Sequence, residues 1–234
     1  MKLITWNSNC SFRTKFNQIL KNKPDILIIP ESENVETFKK YQNEMNFKTH
    51  IWDGAVSYKG LSVFTFNDYY AEIAPFYNPD FKYIIPIYIK SKDKTFLLLA
   101  VWSKLVKNKT LSYITQVCLA LEEYKEYIDK NTIIAGDFNS NKQWDNLFNR
   151  KYNHSYLLNL LNNLDFISVY HNFYNQKQGE ETAPTHYYHR NKEKSFHIDF
   201  MFIHKDRNIQ SFSLGNFNDW ISLSDHVPLF AEIM

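Results

Sequence analysis

Thr132-Ile133-Ile134-Ala135-Gly136-Asp137-Phe138-Asn139-Ser140-Asn141 is the stretch from which the rest of the chain can be read. A short apolar, β-branched run stops at a glycine, and an acid and an amide follow two residues apart. The run predicts a buried strand. Gly136 is expected to let the backbone leave the sheet without a Cβ clash. Side chains two apart on an extended chain share a face, so Asp137 and Asn139 are expected to point the same way. Such a pair at the edge of a buried strand suits a ligand site, because loops on a rigid scaffold carry chemistry. An Asx turn capping the next helix explains Gly-Asp-x-Asn equally well when the motif is taken alone. The remainder of the chain has to decide.

With 234 residues the chain is long enough for one large α/β domain, and residues 1–234 read as a single unit. Apolar residues make up 44% and charged residues 22%, with few Gly and Pro, which places it among ordered globular proteins. The formal charge of +2 neither demands nor excludes a nucleic-acid partner, since a local basic rim can attract phosphate on its own. Lys104, Lys107 and Lys109 form one small basic cluster, and Arg190, Lys192 and Lys194 another. Singly, such clusters are more often solvated surface than binding sites. Cys10 and Cys118 have no metal-type spacing and are expected as free thiols in a reducing compartment. The N-terminus reaches Asn7 before a signal-peptide core forms. The longest apolar run, residues 96–102, is far short of the roughly 20 residues a membrane span needs. A soluble cytoplasmic protein with no membrane partner is therefore expected.

In chain order, a strand at 2–6 ends at Asn7, a helix at 11–22 is closed by Pro24, and a buried strand at 25–29 ends at Pro30-Glu31. Residues 34–46 read as helix, and 47–52, 61–66 and 69–74 as extended. Strands at 83–90 and 95–102 suit a hairpin through 91–94. Leu111, Ile114, Val117, Cys118, Leu121, Tyr124 and Ile128 fall on one stripe of a helix at 111–128, which is core packing rather than a cofactor box. Helices near 143–148 and 154–164 precede extended segments around 185–189, 196–203 and 209–214, with a last strand at 229–233. The polar stretch 175–182 is expected to be a mobile surface loop.

Several apolar segments thus end or begin on a polar residue: Asn7, Glu31, Asp137 with Asn139, and Asp225-His226. Asp199 is embedded in one, and an acid in so apolar a strand needs a partner, for which a histidine is suited. Carboxylates and amides without a cysteine cluster favour Mg²⁺ or Mn²⁺ over zinc.

Ile4-Thr5-Trp6-Asn7, Pro30-Glu31, Gly136-Asp137-Phe138-Asn139, Ile198-Asp199-Phe200 and Ser224-Asp225-His226-Val227-Pro228, in this order, resemble the motifs of the endonuclease/exonuclease/phosphatase superfamily. Each is weak alone, but Gly-Asp-Phe-Asn with a C-terminal Ser-Asp-His-x-Pro is specific. The resemblance implies a four-layered DNase I-like α/β sandwich, two mixed sheets packed face to face with helices outside. It implies that Glu31 is the main metal ligand with Asn7 and Asp225 close by. It further implies that Asp137 orients or deprotonates the attacking water, that Asn139 holds the phosphate or the transition state, and that His226 contacts the scissile phosphate with Asp199 fixing its tautomer. Whether Asp137 or His226 is the base stays open. One position departs from the pattern. Where relatives carry histidine or tyrosine after the strand 97–101, this chain has Trp102-Ser103-Lys104. Indole donates one hydrogen bond but cannot shuttle a proton. Trp102 is then a donor or stacking wall, or Lys104 supplies the cationic contact, or Trp102 is plain core.

The expected activity is metal-dependent phosphodiester hydrolysis, with nucleic acid, DNA first, as the substrate. Arg13, Lys15, Trp52, Lys59, Lys104, Tyr187, Tyr188 and Arg190 are candidates for holding it, because aromatics with nearby cations suit unpaired bases. Two alternatives are a phosphohydrolase for a small or lipid phosphoester and an inactive binding module on the same fold.

Overall fold

The computed structural model describes residues 1–37, 42–107, 111, 113–147 and 151–234. Part of the helix expected at 34–46, together with Lys109 and Phe148, falls outside them. The strands in chain order are β1 (Lys2–Thr5), β2 (Ile26–Ser32), β3 (Thr49–Val56), β4 (Lys59–Thr65), β5 (Tyr70–Ile73), β6 (Ile84–Lys90) and β7 (Thr95–Trp102). They continue with β8 (Ile133–Asp137), β9 (Phe166–Ser168), β10 (His186–Tyr187), β11 (Ser195–Phe196), β12 (Asp199–His204), β13 (Ile209–Leu214) and β14 (Leu229–Ile233). One six-stranded sheet runs β13-β14-β1-β2-β4-β3 and a second runs β5-β6-β7-β8-β12-β9, while β10 and β11 pair separately. Both large sheets are mixed: β1 with β2 and β7 with β8 are parallel, and their other neighbours are antiparallel.

Burial on both faces explains why the central strands are almost continuously apolar, as Leu97-Leu98-Leu99-Ala100-Val101 is. Alternate residues serve different layers. Leu3, Ile26, Ile28 and Val63 of the first sheet meet Ile85, Leu98, Ala100, Ile133 and Met201 of the second in one inner cluster. The opposite face of the second sheet, with Leu99, Ile134 and Phe202, packs against α3 (Ile114–Tyr124) and α4 (His154–Asn163). The outer face of the first sheet, with Ile4, Leu27 and Phe64, is covered by α1 (Phe16–Leu20) and residues of α2 (Gln42–Met45) and α6 (Phe217–Trp220). The order is helix, sheet, sheet, helix, and the expected four layers are present. No helix among the described residues is long and apolar enough to cross a membrane.

Two local expectations need correction, and one helix was not expected. The helix expected at 11–22 is a 3₁₀ turn, Phe12–Thr14, followed by the short α1. Asn9, Cys10 and Ser11 all hold left-handed backbone, and Lys15 donates back to the carbonyls of Ser8 (2.6 Å) and Cys10 (2.8 Å), which uses the turn up before the helix starts. The stretch 175–182 is not loose. The buried side chain of Glu181 accepts hydrogen bonds from His171 (3.0 Å), the Gly179 N–H (2.9 Å) and Asn141 (3.1 Å). A helix absent from the sequence reading, α5 (Val169–Tyr174), forms from a β-branched and aromatic run that local propensity assigns to a strand.

Gly136 stays in the sheet rather than leaving it. It pairs with Val101 on one side and Phe200 on the other, at φ 145°. A Cβ there would lie 1.9 Å from the Val101 carbonyl oxygen. Glycine is required because β7 approaches too closely for a side chain. Gly136→Ala should therefore cost at least ~3 kcal/mol, combining backbone strain with overpacking. Urea unfolding reads this directly, and a midpoint within error of wild type would refute it.

Candidate active site

Three strand positions meet in register at one edge of the second sheet: Trp102 pairs with Asp137, and Asp137 with Asp199. The first sheet brings Asn7, just past β1, to the same place. Its Nδ2 donates to Asp137 Oδ2 at 2.9 Å across 130 residues of chain. Asp137 is fully buried and accepts two further bonds, from the Asn139 N–H to Oδ1 and from Asn139 Nδ2 to Oδ2, each at 2.9 Å. The first of these is an Asx turn, so the two readings of Gly-Asp-x-Asn are not exclusive. Asn139 faces Asp137 because its backbone is left-handed (φ 45°), not because the chain stays extended. Its Nδ2 also donates to the Ser103 carbonyl at 2.9 Å.

His226 lies beside this group on the segment before β14. Its Nδ1 is 2.8 Å from Asp199 Oδ2, and both side chains are buried. Ser224 holds the segment, its hydroxyl donating to the Asn7 carbonyl (2.7 Å) and accepting from the His226 N–H (3.1 Å). The Trp6 indole N–H donates to the His226 carbonyl at 3.0 Å. The motifs at both chain ends are thus tied to each other.

Electrostatics separates the roles of these groups. Burial and then the charge of Asp199 push the Asp137 carboxyl up to about 8. Burial works against a charged His226, but the Asp199 carboxylate outweighs it and holds the ring protonated up to about 10. For Asp225, burial is outweighed by the neighbouring His186 and the charge of His226, which keep it ionised down to about 2.

Glu31 is placed differently. The register of β2 against β4 shifts between Pro30 and Ser32, and Glu31 is the bulged residue, with φ 61°. Bulges of this kind re-aim a side chain beside a site. Its Oε2 pairs with Lys59 Nζ at 2.8 Å. Among the described residues, Asp137, Asp199 and His226 form one group whose ligand atoms lie within 4.8 Å of one another, and His186, Asp225 and His226 form another. Glu31 belongs to neither group. The donors are hard oxygens and imidazole, and Asp199 Oδ1 is buried without a partner. Acidic residues are therefore positioned to hold a divalent cation.

His186 was missed by sequence reasoning. It sits 3.6 Å from Asp225 Oδ2, with its ring centroid 4.5 Å from that of His226. It lies on a two-residue strand in an aromatic run, a context with no periodic or motif signal. The expected substrate residues divide. Lys104 sits over the Trp102 ring at 4.6 Å, and Trp102 is buried and stacked on Tyr83. Arg13 is taken up by Glu33, and Arg190 reaches the Ser222 carbonyl at 3.5 Å. Trp52 donates to the Ser32 carbonyl (3.2 Å), Tyr187 is buried against Phe217, and Tyr188 is exposed. Trp102→Phe keeps a ring on Tyr83 and should cost under ~1.5 kcal/mol, whereas Trp102→Ala should cost ~3–5 kcal/mol. Equal thermal shifts for the two variants would show that the ring does not matter. A cleft of about 450 Å³ opens beside Asn139, walled by Tyr113, Trp144, Tyr152, His154 and Phe196.

No protein-family model matches the chain, and no curated protein matches it in sequence. Solved structures do. An AP endonuclease from Archaeoglobus fulgidus superposes with a TM-score of 0.70 at 19% identity, covering 99% of this chain and 98% of that one. The 3′ phosphatase NExo from Neisseria, bound to product DNA hairpin, gives 0.69 at 15%, with 100% and 99% covered. The endonuclease domain of TRAS1, a telomere-specific non-LTR retrotransposon, gives 0.65 at 15%, with 98% and 96% covered. Identities this low carry the architecture alone, and the architecture is a DNase I-like fold.

Proposed function

We propose that the chain is a divalent-metal-dependent phosphodiesterase whose substrate is nucleic acid, DNA in the first instance. The observation that carries this reading is the junction of Asn7, Asp137 and Asn139 with the Asp199–His226 pair at one sheet edge. Residues 1–234 act as one domain in it, because the site draws on both ends of the chain and its middle. The aromatic cleft beside Asn139 supports a base-bearing substrate, since rings of this kind stack on unpaired bases. One of the three solved structures is bound to product DNA and the other two are named endonucleases, which supports the same choice. The free thiols, buried Cys118 and half-buried Cys10, support a reducing, cytoplasmic setting.

Glu31, Asn7 and Asp225 would hold Mg²⁺ or Mn²⁺, which supplies positive charge against the phosphoryl oxygens. Asp137 takes the proton of the attacking water in its ionised form; with its pKa pushed up to about 8, that form grows as pH rises through 8. His226, held protonated by Asp199, cannot accept that proton at neutral pH. It donates to a phosphoryl oxygen as negative charge grows in the transition state. Both protons of the Asn139 amide are committed, to Asp137 and to the Ser103 carbonyl, so Asn139 positions Asp137 rather than holding the phosphate.

Purified protein should nick supercoiled plasmid with Mg²⁺ and not with EDTA. Absence of nicking by folded protein would move the substrate to RNA, a DNA lesion or a small phosphoester.

A further inference from the structure

The residue pattern that departs from the superfamily, Trp102-Ser103-Lys104, leaves a cationic corner at the site. The Trp102 ring is buried and stacked on Tyr83, with centroids 5.0 Å apart and planes 16° from parallel. Two ammonium groups sit over this platform. Lys104 Nζ is 4.6 Å from the Trp102 centroid and 5.6 Å from that of Tyr83, and Lys59 Nζ is 5.7 Å from Trp102. Ring faces attract cations and hold them with part of their water removed. Lys59 has one acid partner, Glu31, and among the described residues Lys104 has none within ion-pair distance. Two cations therefore share one carboxylate. Burial and then the charge of Lys59 lower the pKa of Lys104, so the two ammonium groups repel each other across this corner.

The position is tied to the chemistry through the backbone. Trp102 is the register partner of Asp137, the Ser103 N–H donates to the Asp137 carbonyl at 2.8 Å, and the Ser103 carbonyl accepts from Asn139. Lys104 is thus one residue beyond the group that fixes Asp137. We propose that Lys59 and Lys104, seated on the Trp102–Tyr83 platform, are the anion-binding pair of this site and hold phosphate oxygens of the substrate. The chemistry they recognise is a phosphate oxyanion, and in a nucleic-acid chain it is a phosphodiester oxygen next to the reacting centre. This rests on the phosphodiesterase reading for the identity of the substrate, though not for the existence of the seat.

The test uses full-length protein in EDTA, with two probes: inorganic pyrophosphate by thermal shift and a short oligothymidylate by fluorescence anisotropy across a salt series. Lys104→Gln should weaken oligothymidylate binding about five- to tenfold and flatten the slope of log affinity against log salt by about 0.7, the value of one phosphate contact on a single strand. Lys104→Arg should restore most of both, and Lys59→Gln with Lys104→Gln should remove the pyrophosphate shift. Lys82→Gln is the control, since Lys82 lies 6.0 Å from the Tyr83 ring but is paired with Asp53. Wild-type affinity and slope in a folded Lys104→Gln variant would overturn the proposal, as would a wild-type protein that does not bind pyrophosphate. If the wild type cleaves no diester but the double variant still loses pyrophosphate binding, the seat stands and the phosphodiesterase reading falls.

Discussion

Asp137→Ala should lower phosphodiester hydrolysis about 10³-fold or more while the chain stays folded. Loss of a positioned base typically costs 10²–10⁴-fold, and Asp137 is also the acceptor that gathers Asn7 and Asn139 from two sheets. Two opposing effects keep the fold. Removing the carboxylate leaves three donors without their acceptor, at roughly 1–3 kcal/mol. It also removes a fully buried acid lying opposite Asp199, which is itself unfavourable. The melting temperature should shift by only a few degrees. Plasmid nicking and near-UV circular dichroism on the same preparation check both halves. A folded variant within tenfold of the wild-type rate would remove Asp137 from the reaction.

Asp199→Asn should be nearly as severe, and its signature is in the pH dependence. The amide keeps the shape and can still accept from His226 Nδ1, but the negative charge is gone. Burial then dominates the ring and lowers its pKa below the ordinary value, so His226 becomes neutral at pH 7. If His226 acts as a cationic donor, the rate falls about 10²–10³-fold. In the variant, part of the activity should return as pH is lowered through the new, lower pKa of the ring. In the wild type, His226 stays charged up to about 10. The sign for stability follows: a raised folded pKa contributes stability that is fully present below the unfolded value near 6.5 and is lost as pH rises through about 10. The gap in melting temperature between wild type and variant should therefore close above pH 10. A ring titration followed by NMR, beside rate profiles from pH 5 to 10, tests this. Superimposable profiles would assign Asp199 a purely structural role.

The strands were legible because burial on two faces writes itself as unbroken apolar runs, and the last strand, Leu229–Ile233, was read to the residue. The site acids were legible for a related reason: each interrupts or ends such a run. What could not be read depends on contacts distant in sequence. The bulge that turns Glu31 towards Lys59 is set by pairing with β4, and nothing in Pro30-Glu31-Ser32 announces it. His186 owes its place to a bridge with His226, forty residues on. Helix α1 is shortened by Lys15 folding back onto carbonyls, a competition that periodicity does not register. The open question of the base turns on burial and neighbouring charge at Asp137 and His226, quantities that exist only after folding.

The first sheet is built from both ends of the chain, with β14 lying between β13 and β1. During synthesis this has a consequence for timing. A nascent chain stalled before Leu229 carries Asn7, Glu31, Asp137, Asp199, Asp225 and His226, yet β1 has no β14 beside it to hold the two ends together for the Ser224–Asn7 and Trp6–His226 ties, which span 217 and 220 residues. Contacts of such long range close late in folding. Completion of the candidate site is therefore coupled to the strand that closes the first sheet.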